Sequence, residues 1–189
     1  LYDIKQTPTY SMRTLAFHEA IPGHHLQVAL NLENESLSLY RRFGYGTSAF
    51  SEGWALYAER LALEAGLAED PYDELGVLQS ELFRAVRLVV DTGIHFKRWT
   101  REEAMDYMKK ITGMSDTEVT VEIERYIVWP GQACSYKVGM LKILELREKA
   151  KQALGESFDI RDFHSVVLDH GEPPLFIVEE LVNEMTSNR

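Results

Sequence analysis

The sequence predicts an all-α protein. Apolar residues recur at the three-to-four spacing of a helix face along most of the chain. No stretch alternates apolar and polar residues with the two-residue period of a half-buried strand. Capping residues, Gly and Pro punctuate the helical runs where they should start and stop. At 189 residues, 45% hydrophobic and 11% aromatic, the chain is long enough to bury a substantial core as one domain over residues 1–189. Neither an internal repeat nor a low-complexity segment is evident.

Taken in order, residues 1–10 carry Pro8 and no clear period, and read as a lead-in segment. A helix begins over Tyr10 to Phe17, with Ser11 as its cap, and runs into Ala16-Phe17-His18-Glu19-Ala20-Ile21-Pro22-Gly23-His24-His25. A second covers His24 to Leu32, followed by a polar connection over Asn31–Ser38. Phe43 to Ser48, with two glycines and capping residues, is loop chemistry. The next helix runs from about Ala49 to Ala65 and stops at Gly66; Asp70-Pro71 opens a long one reaching Asp91 or His95, Pro71 suiting its first turn. Thr100-Arg101-Glu102-Glu103 is a capping box for a helix to about Ile111. Ser115 to Glu118 starts another, to Tyr126. Pro130-Gly131 breaks the chain, and Gln132 to Gly155, Phe158 to Leu168 and, after the 171–174 Gly-Glu-Pro-Pro turn, a last helix to about Met185 complete it.

Lys and Arg total 20 against 30 Asp and Glu, a formal charge of −10. An acidic balance without a basic run argues against nucleic acid as a partner. The single cysteine, Cys134, has no partner for an internal disulfide. No apolar run approaches a membrane span. The start, Leu1-Tyr2-Asp3, lacks Met and does not look like a signal peptide. The chain therefore reads as a processed product or a piece of something longer, and its compartment, cell envelope, periplasm or cytoplasm, stays open.

Three of the six histidines fall within eight residues, at His18, His24 and His25, and Glu19 directly follows the first. Imidazole is the commonest protein ligand for a transition metal, and a glutamate beside a liganding histidine is what a water-activating zinc site needs as general base. The stretch resembles the HExxH helix of zinc peptidases, with Pro22 where the second histidine would stand. On an unbroken helix six residues rotate roughly 600°, placing His24 about 120° off the face of His18, and His25 lies in line but about 10 Å further along. Pro22 and Gly23 favour a break or bulge at Ile21-Pro22-Gly23, which would swing one of the pair back towards His18; spacing alone does not say which.

A second constellation is Ser51-Glu52-Gly53-Trp54-Ala55-Leu56-Tyr57-Ala58-Glu59-Arg60. Glu52 and Glu59, seven apart, share a helix face otherwise lined by small and aromatic residues. Two carboxylates there are costly to bury unless a metal or a histidine N–H meets them. In zinc sites with two histidines and one glutamate, the third ligand comes from a separate downstream helix. Glu52 fits that place, with Glu59 as a partner behind it; the competing reading is an exposed helix face. On the long helix, Arg84, Arg87, Asp91 and His95 form one stripe. His95 would donate to a substrate carbonyl, Asp91 would orient it, and an arginine would grip a peptide carboxylate; the alternative is an ion-pair ladder between helices. His170, in the Asp169-His170-Gly171 turn, is expected to line a cleft, and His164 to be structural. Cys134 has no evident base and is a poor nucleophile.

These two blocks, with Val89 to His95, Trp129-Pro130-Gly131-Gln132-Ala133-Cys134-Ser135-Tyr136 and Leu168 to Gly171, resemble the bacterial family called domain of unknown function 885, over nearly the whole chain. Members are usually about three times this length, so the resemblance implies that the chain is the C-terminal, motif-bearing part, with a missing N-terminal half expected to pack against it. That family is similar to helical gluzincin peptidases of the carboxypeptidase Taq, oligopeptidase and angiotensin-converting-enzyme type, implying a multi-helix zincin-like fold. Aligning the Gly-His pairs makes His24 the second zinc ligand and Glu52 the third, with two residues inserted before Gly23. A tyrosine in a comparable late segment stabilises the oxyanion in those enzymes, and Tyr136 fits better than Tyr126. The resemblance thus implies a zinc peptidase holding one Zn²⁺ on His18, His24 and Glu52 (His25 the alternative to His24). Glu19 would be its base, Tyr136 and His95 its oxyanion donors, Glu59 and Asp91 supports, Arg87 and His170 contacts to a peptide substrate. A non-catalytic helical scaffold, and a metal hydrolase acting on a non-peptide amide or ester, are the rivals.

Overall fold

Ten α-helices and two short 3₁₀ turns make up the described residues, 8–44 and 46–187, of the computed structural model, and no strand occurs among them. Residues 1–7 of the expected lead-in and Tyr45 of the glycine loop lie outside that description. After a 3₁₀ turn at Thr9–Ser11 come α1 (Met12–Glu19), α2 (His24–Glu33), α3 (Leu39–Phe43), α4 (Ser48–Glu64), α5 (Pro71–His95), α6 (Arg101–Thr112), α7 (Asp116–Val128) and α8 (Gln132–Leu154). A second 3₁₀ turn at Gly155–Ser157 leads to α9 (Ile160–Leu168) and α10 (Leu175–Ser187).

Local chemistry sets most boundaries. Asp70 caps α5 by accepting from the Tyr72 and Asp73 amides, with Pro71 in the first turn. Thr100 with Glu103 and Ser115 with Glu118 form reciprocal capping boxes at α6 and α7. Ser11 departs from expectation: its hydroxyl donates back to the Pro8 carbonyl at 2.8 Å and caps no helix. The short α3 lies between the expected Asn31–Ser38 connection and the Phe43–Ser48 loop and takes in Phe43 from the latter; the Ser38 side chain starts it by accepting from the Arg41 amide.

Helix α4 is the centre of the molecule. Phe50, every residue from Gly53 to Glu59, and Ala62 are buried, the pattern of a helix covered on all sides. It crosses α8 with the backbones of Gly53 and Gly139 in contact: a Cβ built on Gly139 would overlap the Ala49 carbonyl and the Gly53 Cα. Two apolar cores flank this crossing. One joins Trp54 and Tyr57 of α4 to Met140 and Ile143 of α8, Phe163 of α9 and Val178 of α10. The other joins Val86 and Val90 of α5 to Met108 of α6, Ile123 and Tyr126 of α7 and Ala133 at the start of α8. Helix α8 belongs to both, so the candidate site described next sits on the seam between two packed units.

His164 belongs to the first core. Its Nε2 lies 2.8 Å from the Tyr57 hydroxyl, and the ring meets Trp54 and Tyr57 edge-on. Burial, and then the Arg147 cation, push its pKa from 6.5 down to about 4. The unfolded chain therefore takes up this proton before the folded one does. Stability from His164 is complete above pH 6.5 and drains away as pH falls towards 4, by on the order of 2 kcal/mol. Urea unfolding of the protein and its His164→Gln variant at pH 7 and pH 4.5 checks this: the variant should lose less stability between the two pH values.

Candidate metal centre

The helical path breaks between His18 and His24. After Glu19 the chain leaves the helix at Ala20 (φ −101°, ψ −110°), passes a cis Ile21–Pro22 bond and re-enters a helix at His24, with Gly23 as its cap. Gly23 is needed for proximity: a Cβ there would collide with the His18 and Phe17 carbonyl oxygens. The indole N–H of Trp54, in α4, donates to the Pro22 carbonyl at 2.9 Å and pins the turn from below. The consequence is that His24, first residue of α2, faces back to His18. Their rings meet edge-on with centroids 4.9 Å apart.

Glu52, from α4, completes the group. Its Oε2 lies 3.2 Å from His24 Nε2 and 3.6 Å from His18 Nε2. One ligand atom each from His18, His24 and Glu52 falls within 4.8 Å of the others, and no other such cluster occurs among the described residues. Neighbouring ligands on a tetrahedral zinc with bonds of about 2.0–2.1 Å stand about 3.4 Å apart, so this donor set fits a zinc ion with little movement. The other face of His18 is also set. Glu59 Oε1 lies 2.7 Å from His18 Nδ1, and the Thr14 hydroxyl donates to Glu59 Oε2 at 2.8 Å. That carboxylate keeps the proton on Nδ1 and leaves Nε2 to be a ligand.

Charge states follow the geometry. Burial works against an imidazolium at His18, yet hydrogen bonds with Glu52 and Glu59 outweigh it and raise its pKa above 6.5. Burial likewise opposes ionisation of Glu52, but hydrogen bonds with His18, His24 and Tyr136 hold its carboxyl well below the usual range. Glu59 is also held down, burial being overcome by His18 and the Arg84 charge. Both carboxylates are therefore anionic, the state that a cation stabilises.

Around this cluster stand Tyr136 and three arginines. The Tyr136 ring stacks on His18 with centroids 6.1 Å apart. Arg87 lies over the Tyr136 ring at 4.6 Å and Arg84 at 5.7 Å. Arg125 Nη2 lies 3.5 Å from the Tyr136 hydroxyl and donates to Gln132 Oε1 at 2.5 Å, and Gln132 Nε2 donates to Glu52 Oε1 at 3.4 Å. Arg125 and Gln132 were not singled out from the sequence. Gln132 stood inside a quoted motif without a role, and Arg125, in a charged helix face, had no distinguishing signal.

Other expected site residues lie elsewhere. His25 is exposed and outside the cluster. Glu19 is exposed at the last position of α1, beside His18 in sequence. His95 is exposed, its Nε2 2.9 Å from the Tyr126 carbonyl at the end of α7, so as an oxyanion donor it is displaced by that backbone contact. Asp91 does not orient His95; it accepts from the Gly131 amide at 3.0 Å, where a carboxylate offsets the positive N-terminus of α8. Arg87 is no free carboxylate fork: Nε donates to the Tyr126 hydroxyl at 2.9 Å and Nη2 to Glu122 at 3.0 Å, an ion pair between α5 and α7. His170 lines a cavity of about 290 Å³ with Tyr40, Arg41 and Glu172. A larger cavity, about 420 Å³, opens behind Glu59 and Arg84 rather than over the histidines. Burial and Asp91 push the Cys134 thiol up to about 11, which leaves it unreactive.

Comparison with known proteins adds kinship. Residues 1–182 match the family described as bacterial protein of unknown function, DUF885. A "putative lipoprotein" from Colwellia psychrerythraea, known from its crystal structure, is 54% identical and superposes with a TM-score of 0.95 over 100% of this chain and 32% of its own. A "putative lipoprotein of unknown function" from Shewanella oneidensis is 32% identical, with a TM-score of 0.85 over 93% of this chain and 32% of its own. The chain thus spans about a third of the length of these solved relatives. No curated protein matches.

Proposed function

The chain belongs to the bacterial family of unknown function DUF885, and from its histidine–glutamate cluster we propose that it carries the active centre of a zinc-dependent peptidase with a gluzincin-like, zincin-type arrangement of helices. The observation that carries this reading is the convergence of His18, His24 and Glu52 within 4.8 Å, from three helices and, for the two histidines, across a six-residue spacing that an unbroken helix would not bring together. Those three residues would hold Zn²⁺, which when bound supplies a Lewis acid that acidifies water and polarises a carbonyl.

The protein's own groups do the rest. Glu59, buried and bonded to His18 Nδ1 and Thr14, fixes the His18 ring. Glu19 takes a proton from the attacking water and returns it to the nitrogen of the leaving amine. One water is consumed, the C–N bond breaks, and a carboxylate and an amine leave. The Tyr136 hydroxyl, on a ring stacked against His18, donates to the oxyanion of the tetrahedral intermediate. The remaining two-thirds of the full-length protein would supply the other wall of the substrate cleft. Because the solved relatives are described as lipoproteins, a cell-envelope location is favoured.

The test is elemental analysis of the full-length protein purified without added metal or a His-tag, beside His18→Ala, Glu52→Ala and Glu19→Gln. Near-stoichiometric zinc in the parent and in Glu19→Gln, its loss from the other two, and peptide hydrolysis by the parent alone are the expected results. Absence of zinc even after it is supplied, with every variant equally stable, would overturn the reading in favour of a scaffold. Zinc with cleavage of amides or esters but not peptides would reassign the substrate.

A further inference from the structure

We propose that the outer side of α5 is a helix-docking seam, and that its occupant is a helix from the two-thirds of the full-length protein outside this stretch. This is independent of the zinc-peptidase reading. It rests on a face of α5 that the histidine–glutamate cluster does not use.

Helix α5 is apolar on two opposite sides. Its inner side is packed: Val86 and Val90 are buried, and Phe83 and Ile94 lie against the second core. Arg84, Arg87 and Asp91 belong to that inner half and turn to Glu59, Glu122 and the Gly131 amide. At about 100° per residue, Leu75, Leu78, Leu82, Ala85 and Val89 fall on the other side. They stand three and four residues apart in alternation, and Phe96 follows one heptad on, just past the helix end. Thr92 is the one polar residue in that register. Leu75, Leu78, Leu82 and Val89 are 39–52% exposed and Phe96 is 84% exposed, so the described helices leave the strip open.

Single apolar side chains are ordinary on a protein surface, but a continuous strip of them marks a contact. This strip runs about 31 Å along the helix. It drifts by about 20° per heptad, so a second helix can follow it with slight supercoiling, knobs seated in holes. An extended peptide has no such repeat. A helix apolar on both sides belongs inside a larger helical body.

The occupant follows from length. Solved relatives align with this chain over only 32% of their own length. The rest of such a protein has apolar helix faces of its own to bury. A segment on the same polypeptide meets the seam at an effective concentration on the order of mM, well above that of a second free copy. The seam also lies on the far side of α5 from Tyr136, which makes it a contact separate from a cleft wall. Docking there braces the helix that lays Arg84 and Arg87 over the Tyr136 ring.

Thiol labelling of the full-length protein reads the seam directly. Cysteine replaces Leu78, Val89 or, as an exposed reference on α6, Lys110, and peptide mass mapping identifies the labelled site. Leu78→Cys and Val89→Cys should react about 100-fold or more slower than Lys110→Cys in a protein that sediments as a monomer. Rates close to the reference overturn the proposal. Protection that disappears on dilution, together with a dimer, overturns it in favour of a second copy. A photo-crosslinking residue at Leu82 then names the occupant. Attachment to a peptide of the same chain outside residues 1–189 supports the seam, and attachment within them overturns it. Leu82→Asp gives a separate readout. Buried in a helix interface, the charge lowers the melting temperature of the full-length protein by several degrees, whereas on a free surface it changes little. An unchanged melting temperature overturns the proposal. None of these readouts involves the metal, so the seam and the zinc-peptidase reading fail separately.

Discussion

Replacing His24 with alanine is expected to abolish zinc binding by the full-length protein, and replacing His25 is expected to leave it intact. The two imidazoles are adjacent in sequence, but the turn at Ala20 to Gly23 delivers them differently. His24 Nε2 comes to 3.2 Å from Glu52 Oε2, whereas His25 is exposed and makes none of these contacts. Losing one of three protein ligands removes a large share of a binding free energy on the order of 10 kcal/mol or more, so affinity should fall roughly 1,000-fold. Competition with a chromophoric chelator reads that number directly. Glu59→Gln serves as the graded case. It touches His18 Nδ1 but offers the metal no atom, so a loss of about 10- to 100-fold is expected. A His25 variant that loses zinc while the His24 variant keeps it would mean that the turn takes a different path in the metal-bound protein.

That pair of histidines also marks how far the sequence could be read. Helical periodicity, capping boxes and the Asp70-Pro71 start were local signals, and the helices they implied are present with ends moved by a residue or two. Glu52 and Glu59 were legible as one face because both sit on one helix, where spacing alone fixes direction. Between His24 and His25 spacing could not choose. The answer depends on three residues whose path is held by a distant donor, the Trp54 indole on the Pro22 carbonyl. The same limit explains the stripe from Arg84 to His95. Periodicity put those residues on a shared face, but what that face meets is Glu122, Tyr126 and Gly131 from other helices. Those partners turn Arg87 and Asp91 into structural contacts. Arg125 was invisible for the converse reason. In Glu122-Ile123-Glu124-Arg125 it reads as an ordinary solvated charge, and only the approach of Gln132 and Tyr136 from α8 distinguishes it.

Gly139→Ala is expected to destabilise the protein by about 3 kcal/mol, although alanine is the better helix former by roughly 1 kcal/mol. The propensity gain is outweighed because the new methyl meets the Ala49 carbonyl oxygen and the Gly53 Cα, backbone atoms that no rotamer change can clear. Helices α4 and α8 must then move apart, and the contacts of Trp54, Tyr57, Met140 and Ile143 loosen with them. At this chain length such a loss lowers the melting temperature by about 10 °C. The site should feel it as well. Glu52 and Glu59 ride on α4, Tyr136 and Gln132 on α8, and His18 on α1, so a shift at the crossing opens the Glu52–Gln132 contact and spreads the three ligands. Zinc affinity should fall with stability in Gly139→Ala and in Gly53→Ala alike. Because both methyls would occupy one gap, the double variant should cost less than the two single losses added together. A Gly139→Ala protein that melts higher than its parent, as helix propensity alone demands, would show that the two helices have room to separate without disturbing the ligands they carry.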